Sequence, residues 1–320
     1  MLYYDVQHHG DIEMLKWLAG TLQDKDNILN FSLDVDDSNF NAFSLWAGMS
    51  DIPNINVSRS FPVTWCGPSQ ITQMRGMLER AVEAEGWEYF INLSGSCFPL
   101  CSQSEIKKQI LHEKKQNTTS FCFGFVPKKP SVWIERDNDP QYFDYKYNRL
   151  TVSCDKSIYD AFTTKSLDPV RNVMERRAIH CTEVVHEKHL VLRGLELWEI
   201  RERKLFWEKY KYHLGRAWMI LHRKQVEWLL STPLMNEFYC HLSNTFEPDE
   251  TLFPSLLYSE DNPYLNELSK NNYRYKLGSP GILRESDMVD VFASQALFAR
   301  KFPKNITAKA LQFIESNFED

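Results

Sequence analysis

The stretch from Tyr89 to Lys115 constrains this chain more than any other. Tyr89, Phe90, Ile91 and Leu93 form a short apolar run rich in aromatic and branched side chains, the pattern of a buried strand. Ser94, Gly95 and Ser96 break that run, and Phe98-Pro99-Leu100 turns the chain. Ser102-Gln103-Ser104-Glu105 has the spacing of a capping box, which predicts a helix from there to about Lys115. Strand, small-residue loop and capped helix make half of a βαβ unit. In open α/β sheets ligands sit beyond the carboxyl ends of the strands, where Ser94, Gly95 and Ser96 fall. A core strand followed by an ordinary turn has the same pattern, so the stretch by itself does not establish a site.

The segments on either side extend the same alternation. Leu2 to Val6 reads as a strand; Ile12, Leu15, Trp17 and Leu18 lie at near-helical spacing; Ile28 to Leu33 is a second strand running into Asp34-Val35-Asp36-Asp37. Gly67-Pro68-Ser69 precedes a helix expected from Ile71 to Ala84, with Ser69 as its N-cap and Met74, Met77, Leu78, Ala81 and Val82 on its apolar face. Phe121 to Val126 is a further strand. Residues 127–150 are polar, aromatic and proline-containing, and read as an irregular excursion. Residues 165–212 are charge-rich and read as helical; His186 and His189 would then share a helix face, with no complete zinc ligand set around them. Lys204 to Tyr212 is basic and aromatic, suited to an amphipathic surface helix or to contact with an anionic surface. A helix is expected over residues 224–230. Pro248-Asp249-Glu250 starts another running to about Tyr258, because proline suits the first turn and acids favour the N-terminus. A terminal helix is expected from Ile306 to Phe318.

Bulk properties exclude several classes. A chain of 320 residues buries roughly three quarters of its unfolded surface, enough for one large α/β domain. A net charge of −6 argues against a general nucleic-acid binder. No apolar run reaches transmembrane length, and Met1-Leu2-Tyr3-Tyr4-Asp5 is not a signal peptide. The seven cysteines, at 66, 97, 101, 122, 154, 181 and 240, show no zinc or redox spacing and read as reduced thiols of a cytoplasmic protein.

Tyr89 to Leu100, Y-F-I-N-L-S-G-S-C-F-P-L, resembles the "INLSGxDFPL" signature of glycosyltransferase family 14. That family holds the core-2/I-branching β-1,6-N-acetylglucosaminyltransferases, the peptide O-xylosyltransferases and many bacterial relatives. Four other stretches are similar to its signatures and come in the family order: Val63 to Ser69, Gly215 to Arg223, Pro248 to Phe253, and Ser279-Pro280 with Ala296 to Phe302. Two departures stand out. Cys97 replaces an acidic residue, and Ala217 replaces the acceptor-site aspartate that xylosyltransferases carry before the tryptophan.

The resemblance implies a GT-A-like α/β fold, a mixed, mainly parallel sheet flanked by helices, as a single domain over residues 1–320. Residues 1–130 would form the nucleotide-sugar half and 131–320 the acceptor and catalytic half. It implies an inverting, metal-independent transfer of N-acetylglucosamine or xylose from a UDP-sugar to a glycan or lipid-linked glycan. No cofactor or metal is expected. Glu250 matches the catalytic base, the one carboxylate that a single displacement requires. Arg300 and Lys301 match the cationic pair that neutralises the departing diphosphate. Asp36, Ser94 and Gly95 are the nucleotide candidates, and Trp218 and Arg216 the acceptor candidates. Arg274 and Arg284 are further phosphate candidates. Asp34-Val35-Asp36 also has the form of a metal-binding D-x-D, so a divalent ion, a uridine-side contact from Asp36 and a solvated turn all stay open there. A bacterial surface-polysaccharide enzyme, cytoplasmic with peripheral contact to the inner membrane and no nucleic-acid partner, is the expected setting.

Overall fold

The computed structural model describes residues 1–8, 11–34, 38–60, 63, 69–126, 151–155, 181–186, 189–194, 206, 209–242, 248–276 and 281–304. Three parallel strands open the chain, β1 (Leu2–His8), β2 (Ile28–Asp34) and β3 (Ile55–Ser60), with α1 (Ile12–Leu22) and α2 (Phe40–Met49) between them. Helix α3 (Ser69–Glu83) leads into β4 (Tyr89–Ser94), which pairs with β1 in parallel, Tyr4 opposite Ile91. After the short β5 (Phe98–Pro99), α4 (Gln103–Lys115) starts where the capping pattern predicts: the Ser102 side chain accepts the Glu105 backbone N–H. Next come β6 (Ser120–Phe125), β7 (Thr151–Asp155), β8 (Cys181–His186) and β9 (His189–Gly194). They are followed by β10 (Leu214–His222), α5 (Arg223–Ser231), α6 (Leu234–Leu242) and α7 (Asp249–Leu257). The last elements are β11 (Leu268–Ser269), β12 (Arg274–Lys276), α8 (Met288–Ala293) and β13 (Phe298–Arg300).

The main sheet has seven strands in the order β11-β6-β10-β4-β1-β2-β3. It is mixed and mainly parallel, as expected; only β10 runs against both its neighbours, β4 and β6. Each face is sealed by its own layer. Leu15, Leu18 and Leu22 of α1, Phe43 of α2 and Ile106 and Ile110 of α4 pack with Tyr4, Val6, Ile91 and Leu93 on one face. Met74, Met77 and Leu78 of α3, Phe238 of α6 and Leu252, Phe253 and Leu256 of α7 pack with Tyr3, Phe90, Met219 and Leu221 on the other. Neighbouring strand residues alternate between these clusters because side chains alternate across a pleated sheet.

Two expectations are corrected. Residues 181–186 and 189–194 are not helical. They are the antiparallel strands β8 and β9, with His186 opposite His189 across a two-residue connection, so the shared helix face proposed for these histidines does not exist. The β-branched and aliphatic run Val184, Val185, Leu190, Val191 and Leu192 favours strand, and it outweighs the surrounding charges. Ser69 is the first residue of α3 rather than its cap. The excursion at 127–150 and the terminal helix at 306–318 lie outside the described residues.

One buried polar cluster interrupts the apolar face under α3. Asp5 is wholly buried. Its carboxylate accepts from Ser32 Oγ at 2.6 Å and Asn30 Nδ2 at 2.9 Å, and Arg80 of α3 reaches it at 3.5 Å. Loss of solvation outweighs these partners and pushes the carboxyl up to about 6. A carboxyl raised on folding holds its proton more tightly in the native state. Its stabilising contribution is therefore complete below the unfolded pKa and is lost as pH rises through about 6. The loss amounts to roughly 3 kcal/mol for a two-unit shift. Urea denaturation from pH 4 to pH 7 should show Asp5→Asn gaining by about this amount relative to the unmodified protein; a pH-independent difference would contradict the assignment.

Candidate active site at the carboxyl edge of the sheet

Because β1, β2, β3 and β4 are parallel, their carboxyl ends, His8, Asp34, Ser60 and Ser94, lie along one edge. The turn after β4 is built there. The Gly95 N–H donates to Gln7 O at 3.0 Å, the Cys97 N–H to Ser94 O at 2.8 Å, and Cys97 Sγ accepts from the Ser94 N–H at 3.3 Å. Ser94 Oγ lies 3.2 Å from Ser96 Oγ and 3.1 Å from Cys97 Sγ. Ser94 and Gly95 thus hold the turn together. Asp34 is buried and accepts the Val63 N–H at 3.1 Å, tying β2 to the chain after β3. Asp36 and most of the second signature, residues 64–68, lie outside the described residues. Among those described, no three His, Cys, Asp or Glu side chains form a metal-holding group.

The C-terminal segment is stitched onto this turn. β13 pairs antiparallel with β5 and parallel with β12 in a small sheet. Leu100 N–H donates to Leu297 O at 2.9 Å and Phe302 N–H to Ser96 O at 3.0 Å. The LFARKF string is thereby carried to the carboxyl edge.

Strand β10 supplies the third side. Gly215 faces Gly124 and Met219 faces Cys122, four steps along β10 against two along β6, so the residues between them form a bulge. Asn92 of β4 closes it: Oδ1 accepts the Met219 N–H at 2.8 Å and Nδ2 donates to Ala217 O at 2.7 Å. Gly215 is required where β10 meets α7. A Cβ there would stand 2.0 Å from Phe123 O and 2.7 Å from Pro254 Cγ. This close approach brings the first turn of α7, with buried Asp249 and half-buried Glu250, to the same edge.

Two guanidinium groups occupy the centre. Arg300 stacks over the Trp218 ring at 4.3 Å, so one face of that ring is used by the arginine. Arg274 packs over Phe298 at 4.2 Å and donates Nη2 to Asn92 O at 3.2 Å. Burial pushes Arg274 down to about 10 and lowers Arg300 as well, yet Arg274 stays cationic at neutral pH. Arg300 is in electrostatic range of Cys97, Glu250 and Asp249, which favour its charge, and of Arg216, which opposes it. Arg274 Nε and Nη1 and Arg300 Nε are buried with no hydrogen-bond partner among the described residues. Buried donors left in this state are expensive, and an anionic ligand would satisfy them.

Of the residues singled out in the sequence, Arg300 lies over Trp218 and within electrostatic range of Glu250 and Arg216, and half-buried Lys301 follows Arg300 in the chain. Of the two further phosphate candidates only Arg274 joins them. Arg284 is exposed, and its backbone N–H donates to Asp287 Oδ2 at 2.7 Å. The sequence places Asn92 only in a core strand; its role as a clip has no local sequence signal. Replacing Asn92 by Leu should strand the Met219 N–H and Ala217 carbonyl and lower unfolding free energy by about 2–5 kcal/mol, measured by chemical denaturation.

Residues 3–149 match the family model described as Core-2/I-Branching enzyme, a segment that holds Asn92 and the turn at 94–97 but not Glu250, Arg274 or Arg300. No curated protein matches the chain at a significant level. Among solved structures, a variant of UDP-glucose pyrophosphorylase from Leishmania major aligns with 77% of this chain at 10% identity and a TM-score of 0.26. The chain spans about half (53%) of that protein's length, and so low a score carries no conclusion about fold or activity. The likeness shown is therefore to the Core-2/I-Branching enzymes, and it covers just under half of the chain, residues 3–149.

Proposed function

We propose that the protein is an inverting, metal-independent glycosyltransferase on a GT-A-like scaffold, moving a sugar from a UDP-sugar to a hydroxyl of a glycan acceptor. The observation that carries this reading is the pair of buried guanidinium groups, Arg274 and Arg300, with donors open to an anion and Glu250 within electrostatic range of Arg300. The Glu250 carboxylate takes the proton of the acceptor hydroxyl as its oxygen attacks the anomeric carbon. The bond from that carbon to the diphosphate oxygen breaks, and its electron pair leaves with UDP. Arg274, Arg300 and Lys301 compensate the charge that collects there, and their low-dielectric setting makes each contact stronger than it would be in water. Cations already fixed at this position do the work that a divalent ion does in metal-dependent transferases.

N-acetylglucosamine and xylose are the donor sugars that family precedent favours, and a bacterial surface polysaccharide or lipid-linked glycan is the acceptor. No helix among the described residues is long and apolar enough to cross a membrane; a cytoplasmic enzyme in peripheral contact with the membrane fits this reading. A binding-only role on the same scaffold is the second reading, favoured by Cys97 standing where the resembled family carries an acid.

UDP release from a panel of UDP-sugars, with and without EDTA, separates these readings. Turnover from one donor should survive EDTA. It should fall about 10²–10⁴-fold in Glu250→Gln with donor affinity kept, and about 10²–10³-fold in Arg300→Ala. Activity abolished by EDTA would overturn metal independence, and binding of UDP without turnover in any variant would favour the binding-only role.

A further inference from the structure

Helix α2 is apolar on both faces. None of its ten residues, Phe40 to Met49, is charged. Phe43 and Ala47 are its buried positions, and Phe43 meets Phe31 of β2 edge-on at 5.0 Å. By the helical period Asn41, Ala42, Leu45, Gly48 and Met49 share the opposite face, and all five are exposed. Leu45 is 66% exposed and Met49 76%. A helix that is hydrophobic all round is ordinarily buried all round, and an apolar face turned to water marks a contact surface.

Two cations flank that face. Arg59 of β3 lies 4.1 Å from the centre of the Phe40 ring and donates to Asn41 Oδ1 at 3.5 Å. From α1, Lys16, which also pairs with Glu13 at 2.8 Å, stands 5.9 Å from the centre of the Trp46 ring. Apolar side chains flanked by cations suit a helix lying in an anionic lipid surface: Leu45 and Met49 reach the acyl chains while the cations stay among the phosphates. A second copy of the chain fits less well. Ten residues make a helix about 15 Å long, and one face of it falls well short of the roughly 800 Å² per partner that a stable interface needs.

The helix is also placed with respect to the candidate site. β2 and β3 are parallel, so α2 runs back across the sheet from the carboxyl edge. Arg59, next to last in β3, touches Phe40 and Asn41 and fixes the first turn of α2 at that edge.

We infer that α2 is a membrane-docking helix, which inserts Leu45 and Met49 into an anionic lipid surface and so holds the carboxyl edge of the sheet beside the bilayer. A glycan carried on a lipid would be presented there. That last step rests on the glycosyltransferase reading; the docking does not.

The test is co-sedimentation of the full chain with vesicles of phosphatidylcholine alone and of phosphatidylcholine and phosphatidylglycerol in equal parts. The expected result is binding to the mixed vesicles that weakens with added salt. The double variant Leu45→Gln/Met49→Gln should lower the partition coefficient at least about tenfold. Arg59→Gln should lower it about fivefold, on the mixed vesicles only. Both apolar side chains are exposed, so an unchanged urea midpoint in the double variant would show that binding, not the fold, is lost. No binding of the unmodified protein to mixed vesicles overturns the proposal. So does equal binding by the double variant, which would move the contact to another surface. A dimer in analytical ultracentrifugation that the double variant dissociates would assign the face to a second copy instead. UDP affinity is read separately in solution and should be the same in the double variant. Vesicle binding by a protein with no affinity for UDP would overturn the glycosyltransferase reading and leave the docking in place.

Discussion

Arg274 and Arg300 must be kept buried and charged at an edge where the protein among its described residues leaves part of their hydrogen-bonding capacity open. Removing a guanidinium from water is costly unless something compensates it, and here much of the compensation is apolar and geometric. The Phe298 and Trp218 rings lie 4.2 and 4.3 Å from the two guanidinium carbons, and Asn92 O takes one N–H. The small sheet of β5, β13 and β12 carries both arginines, and the backbone hydrogen bonds Phe302 N–H to Ser96 O and Leu100 N–H to Leu297 O anchor it on the turn after β4.

The same logic explains β10. A regular antiparallel strand between β4 and β6 would place Arg216 to Trp218 in the ladder. The bulge lifts them out, and Asn92 supplies from its side chain the donor and acceptor that the ladder no longer provides. One residue of β4 therefore serves both halves of the site: its side chain fixes the bulge that presents Trp218, and its backbone carbonyl anchors Arg274. Gly215 then lets α7 approach closely enough for Glu250 to reach the edge.

Much of this is legible in the sequence. The capped helix after the Ser-Gly-Ser turn, the opening strands and the helix starting at Pro248 all rest on near-neighbour patterns, and the structure has them within a few residues. The misreading at 165–212 has an equally local cause: charged flanks masked a β-branched run, and strand formation there depends on the pairing of β8 with β9. Arg274 and Arg284 looked equivalent as phosphate candidates, ten residues apart in a segment with weak family likeness. Register decided between them, because Arg274 is paired inside the small sheet and Arg284 is on the surface.

The sequence by itself determined which segments become strands and helices, which turn follows β4, and which residue types are available for the chemistry, because each depends on side-chain period, capping and turn chemistry over a few residues. Only the tertiary structure decided that Asn92 is a clip rather than filler, that one face of Trp218 is taken by Arg300, and that Arg274 rather than Arg284 is held against Asn92. Those facts depend on contacts between residues more than eighty positions apart or on a bulge defined by a neighbouring strand. No local pattern encodes the distance between two side chains that meet only once the sheet has closed.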